Sequence, residues 1–105
     1  MATYITHEKI YREIIHDFIA KKINANSFVK KYMSQWKLDR DLQWEEVNKG
    51  VEPSEQEKEL SNKLLDEIFT ACDVHNTVPD ETYELNDEQL LSEVKNLASR
   101  YWGDI

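Results

Sequence analysis

Apolar residues recur at steps of three and four along most of the chain, with polar residues between them. From about Thr6 to Lys22, Ile10, Tyr11, Ile14, Ile15, Phe18 and Ile19 form one stripe, and Lys9, Arg12, Glu13, His16 and Asp17 fill the other side. That spacing predicts a helix with one wide buried face. Asn24-Ala25-Asn26-Ser27 then supplies N-cap candidates and breaks the register. A second helix is predicted from about Ala25 to Trp36, with Phe28, Val29, Tyr32, Met33 and Trp36 on its apolar side. Residues 37–53 are less regular: Leu42, Trp44 and Val47 suit a short helical turn, which Gly50 and Pro53 end.

Pro53-Ser54 reads as the start of a third helix, with Ser54 as N-cap and Glu57 at the third position of a capping box. Its buried face is predicted to hold Leu60, Leu64, Leu65, Ile68, Phe69 and Cys72. The last helix has the clearest start. Asn86 caps, Gln89 sits where the reciprocal partner belongs, and Leu85 with Leu90 suits a hydrophobic staple. Leu90, Leu91, Val94, Leu97, Ala98 and Tyr101 carry its stripe to Trp102. No strand-like alternation competes. Four one-sided helices predict an all-α fold, an antiparallel four-helix bundle, as one domain over residues 1–105.

Composition narrows this further. With 105 residues the chain can enclose a single core. Only Gly50 and Gly103 are available, so no Gly-rich loop can cradle a phosphate. Cys72 is the single cysteine, which excludes an internal disulfide and favours a reducing compartment. The start of the chain has no basic segment followed by an apolar run, and no window approaches a membrane span. A cytoplasmic domain, neither secreted nor membrane-bound, is expected.

Charge adds the first functional signal. The net charge is −8, yet residues 1–50 carry nine Lys and Arg against seven Asp and Glu, while residues 51–105 carry four against fourteen. Such a chain does not bind nucleic acid by neutralising phosphates, and it suits a basic partner. From Asp73 to Glu88 there are six acids, Asp73, Asp80, Glu81, Glu84, Asp87 and Glu88, with no Lys or Arg. Asp87 and Glu88 also serve the positive end of the helix that follows. Pro79 restricts the loop, and Val74, Val78 and Tyr83 are placed to tie it to the bundle. Carboxylates fixed in this way resemble a string of phosphates.

Catalytic and metal chemistry fit poorly. A calcium loop from Asp73 to Glu84 would need Gly where Val78 stands and an oxygen ligand where His75 stands. Glu13-Ile14-Ile15-His16 matches one half of a di-iron element and has no second copy. Cys72 and His75 lack a second ligand pair for zinc, and Cys72 lies on an apolar stripe as a small buried thiol. Trp36, Trp44 and Trp102 read as core or bundle-end residues, one of them suited to an interface. The expectation is a non-enzyme without metal or other cofactor.

The stretch Glu67-Ile68-Phe69-Thr70-Ala71-Cys72-Asp73, the loop with Pro79-Asp80, and Tyr83-Glu84-Leu85-Asn86-Asp87-Glu88-Gln89-Leu90-Leu91-Ser92-Glu93-Val94 resemble the colicin D immunity family. These are bacterial self-protective colicin-like immunity proteins, a group that includes some contact-dependent inhibition immunity proteins. Phe18 to Phe28 is similar to that family's passage from first to second helix, and residues 37–53 depart from its pattern as a longer connection. The similar segments cover roughly half the chain.

The resemblance implies a four-helix bundle that binds a cognate toxin domain and blocks its tRNA-cleaving site, with the inhibitor's acids facing the basic cleft meant for RNA. By position it carries Asp73, Asp80, Glu81 and Glu84 into that role, beside Tyr83. Together with the loop's other residues, the expected toxin-binding set is Asp73, His75, Asp80, Glu81, Tyr83, Glu84, Asp87 and Glu88, with Tyr83 or His75 as central anchor. The expected partner is a basic nuclease domain held by a monomer in a 1:1 complex. The competing reading is an acidic helical adaptor or regulatory subunit that binds some other basic protein.

Overall fold

A computed structural model describes residues 3–103 of the chain, and its regular elements are helices, with no strand among the described residues. A four-residue turn of helix, α1 (Thr3–Thr6), precedes α2 (Glu8–Ile19) and the long α3 (Ala25–Asn48). Next come α4 (Glu55–Leu60), a π-turn (Ser61–Leu65) and α5 (Asp66–Asp73), which follow one another without a break. The loop 74–86 leads to α6 (Asp87–Trp102).

The buried stripes meet as the spacing predicts. Tyr11, Ile15 and Phe18 of α2 face Phe28 and Tyr32 of α3, Leu60, Leu64, Leu65, Ile68 and Cys72 of the 55–73 segment, and Leu90, Val94 and Ala98 of α6. Phe18 stacks on Phe28 with centroids 4.3 Å apart, and Trp36 on Phe69 at 3.9 Å. Tyr32 satisfies its hydroxyl by donating to the Leu65 carbonyl at 2.7 Å. That carbonyl adjoins the π-turn, where the regular helical ladder is interrupted and needs outside donors. Ile10 departs from the predicted stripe and is exposed. Among the described residues no helix is long and apolar enough to cross a membrane.

Two predicted elements are corrected. The second helix does not stop at Trp36: α3 runs unbroken to Asn48, so the predicted separate turn around Leu42, Trp44 and Val47 is part of it. No Gly or Pro interrupts residues 25–49. At 1.5 Å per residue the helix is about 36 Å long, most of the molecule's 43 Å extent. Its last buried residue is Asp39. Beyond that point the helix overhangs the core and the apolar spacing lapses, leaving Leu42, Trp44 and Val47 exposed. Gly50, at φ +85°, turns the chain back in a conformation that favours glycine.

The second correction concerns Glu57. Ser54 does cap α4, its Oγ accepting from the Glu57 amide at 3.2 Å. The Glu57 side chain does not close the box, because it is buried and accepts the Tyr4 and Ile5 amides at 2.7 and 3.0 Å. Those amides open α1, a segment too short to satisfy its own donors. A carboxylate from 52 residues away is the better partner than the adjacent solvent-facing cap. Asn24 and Asn86 cap as predicted, and the Asn86–Gln89 box is reciprocal, with bonds of 2.8 and 2.9 Å.

Candidate functional site

The loop between α5 and α6 is organised by hydrogen bonds from both ends. The Leu85 amide donates to the Val74 carbonyl at 2.9 Å and the Asn76 amide to the Leu85 carbonyl at 2.8 Å, which clamps the loop's base. Above the clamp, Glu84 folds inward. Its Oε1 accepts the Asp80 and Glu81 amides, each at 2.9 Å, and its Oε2 accepts Asn76 Nδ2 at 3.2 Å. These donors favour the charged carboxylate and hold Glu84 below the ordinary glutamate pKa, the Asp80 amide contributing most. The Asn76 Oδ1 takes the Val78 amide at 3.1 Å.

At the other end of the loop, His75 Nε2 lies 2.7 Å from Asp87 Oδ1, and only 5% of the histidine side chain is open to solvent. The Thr77 hydroxyl lies 3.2 Å from the same oxygen and 3.5 Å from Asn26 Oδ1 of α3, donating to one at a time. The loop is therefore linked to both α6 and the start of α3. Polar bonds do the tying that Val78 and Tyr83 were expected to do. Those two point outward, 74% and 67% exposed. The reason is local: the loop's backbone groups need partners, and Asn76 and Glu84 supply them at the loop's own sequence spacing.

The predicted site residues thus separate into two sets. Asp73, Asp80, Glu81, Tyr83 and Glu88 are exposed on the loop and its flanking helix ends. Neither Asp80 nor Glu81 has a donor to its carboxylate among the described residues, so both charges face water. Glu84, His75 and Asp87 spend their polar atoms within the loop. Glu84 holds the backbone of Asp80 and Glu81, and the His75–Asp87 contact ties the loop to α6. Asn76 and Thr77, absent from the predicted set, share that task. Their signal in the sequence is only their polarity beside Pro79, because the bonds they form to Glu84, Asp87 and Asn26 span eight to fifty-one residues.

The remaining chemistry-bearing residues lie elsewhere. Burial pushes the Cys72 thiol up to about 12, the state of an unreactive core residue. His16 is exposed on α2, with Asp17 4.0 Å away. Among the described residues no three His, Cys, Asp or Glu side chains gather as a metal would need. A buried polar cluster that no sequence signal marks joins α2 and α3. Asp39 accepts the Tyr11 hydroxyl at 2.6 Å and Gln35 Nε2 at 3.1 Å, and His7 Nδ1 lies 2.7 Å away. Burial, then the bond to Asp39, raises the Tyr11 pKa well above its ordinary value. The cluster is satisfied and joins helices.

The His75–Asp87 pair and the Thr77 hydroxyl bond to one another and hold the loop to α6. The loop can present negative charge in a fixed geometry to a basic surface. A family model described as bacterial self-protective colicin-like immunity matches residues 8–101. No curated protein and no solved structure matches the chain significantly.

Proposed function

The chain belongs to the bacterial self-protective colicin-like immunity family, and from that premise we propose that it blocks the active site of a cognate tRNA-cleaving nuclease toxin with its acidic loop. Asp80 and Glu81 take the place of RNA phosphates, Asp73 and Glu88 extend the negative surface, and Tyr83 supplies an exposed aromatic anchor between them. Glu84, His75 and Asp87 keep that surface in shape. The inhibitor acts in the cytoplasm as a monomer, one molecule per toxin domain, and needs no cofactor.

The observation that carries this reading is the pair of amide bonds to Glu84 at 2.9 Å. They place two water-facing carboxylates on a loop that is ordered before any partner arrives, so little conformational entropy is lost on binding. A net charge of −8 steers a basic partner toward the molecule, and close packing then slows its release.

Co-expression tests the proposal. The chain should restore growth to cells producing the toxic C-terminal nuclease domain encoded beside its gene, and tRNA from those cells should stay intact. Continued tRNA cleavage at equal expression would defeat the reading. Rescue from a toxin that attacks no nucleic acid would keep the immunity role and remove the RNA mimicry.

A further inference from the structure

The turn between α2 and α3 brings two lysines to the acidic end of the molecule. Lys21 and Lys22 line one open pocket of about 390 Å³ with Asp87 and Glu88, over apolar surface from Phe18 and Leu91. Both lysines are exposed, and neither forms an ion pair among the described residues. Lys21 sits at φ +63°, the left-handed region that suits glycine or asparagine. The long cationic side chain stands where the backbone itself favours a small residue.

A surface built only to imitate phosphate gains nothing from unpaired cations at its border. Their field cancels part of what Asp87 and Glu88 contribute. Opposite signs side by side instead set the register of an interface and penalise partners with the wrong pattern. Resting on the toxin-inhibitor reading above, we infer that Lys21 and Lys22 are specificity-determining residues that receive an Asp or Glu side chain of the same partner. The matching partner surface is two-signed. It is basic opposite Asp80 and Glu81 and acidic opposite the lysines, with the apolar pocket wall covered between them.

Charge reversal separates this from uniform mimicry by the sign of its effect. In Lys21→Glu/Lys22→Glu each exchange removes a positive and adds a negative charge, so −8 becomes −12. Uniform mimicry requires tighter binding to a basic toxin. The two-signed interface requires weaker binding, by about tenfold or more in Kd, expressed mainly as faster dissociation. Binding is measured by surface plasmon resonance with the catalytically inactivated toxin domain encoded beside the gene, and folding is checked by circular dichroism. Lys21→Asn/Lys22→Gln, which keeps the left-handed turn accessible, should weaken binding in the same direction and decides the matter if the reversed variant unfolds. Unchanged or tighter binding in the folded variants overturns the inference while leaving Asp80 and Glu81 in their role. Absence of wild-type binding overturns both.

Discussion

Two regions of this molecule use carboxylates in opposite ways. Where α1 meets α3 and α4, Asp39 and Glu57 are buried and saturated: Asp39 has three side-chain partners and Glu57 accepts two amides. In the loop before α6, the Asp80 and Glu81 carboxylates receive no donor among the described residues and stand in water, while Glu84 behind them takes their backbone amides. The residue type is shared; the density of donors around it differs. Burial makes the first pair part of the fold, since a desolvated charge is tolerated only when it is fully bonded. Exposure leaves the second pair's charge available to another molecule.

That contrast can be broken in graded steps. The largest expected effect is on stability. Asp39→Ala strips the Tyr11 hydroxyl of its partner in the core and should cost about 3 kcal/mol, measured by urea denaturation. The affinity of the molecules that remain folded should not change, because Asp39 lies outside the loop. Next, Asp80→Lys/Glu81→Lys should slow toxin association about 100-fold at low salt and flatten its salt dependence. Its melting temperature should match wild type. Unaltered association kinetics in that variant would mean the loop charges do not steer.

The smallest effect should come from Glu84, which links the two behaviours. Its pKa is lowered by the amides it holds. Its contribution is therefore complete above the ordinary glutamate range, about pH 4.3, and is lost as pH falls through the lower folded-state value. Amide exchange at Asp80 and Glu81 should thus lose protection on acidification. Glu84→Gln retains an acceptor oxygen without the charge. It should speed exchange at those two amides roughly threefold at neutral pH and abolish the acid-linked change attributable to Glu84. Identical exchange profiles for the two proteins would show that Glu84 does not order the loop.

Much of the fold was legible because it rests on local rules. The stripes in residues 10–19, 28–36, 60–72 and 90–101 are spaced for helices, and Ser54, Asn24 and Asn86 announce helix starts by side-chain chemistry that acts within three residues. The end of α3 was not legible. Periodicity reports burial, and a helix that outruns its core keeps its backbone pattern while losing its apolar one. The concentration of acids before α6 was legible. Which of them would face outward was not. Glu81 and Glu84 are the same residue type three positions apart, and only the loop's turn makes one the holder and the other the held.

By itself, the sequence determined the helices, their caps, the family and the place where negative charge gathers, since each depends on residue type and near-neighbour spacing. The tertiary structure alone decided that Glu57 serves α1 rather than its own cap, that Asp39 is buried, and that His75 is covered. It also brought Lys21 and Lys22 to the border of the acids. Those outcomes depend on which distant groups compete for the same donor or the same shelter from water, and that competition is settled only when the helices pack.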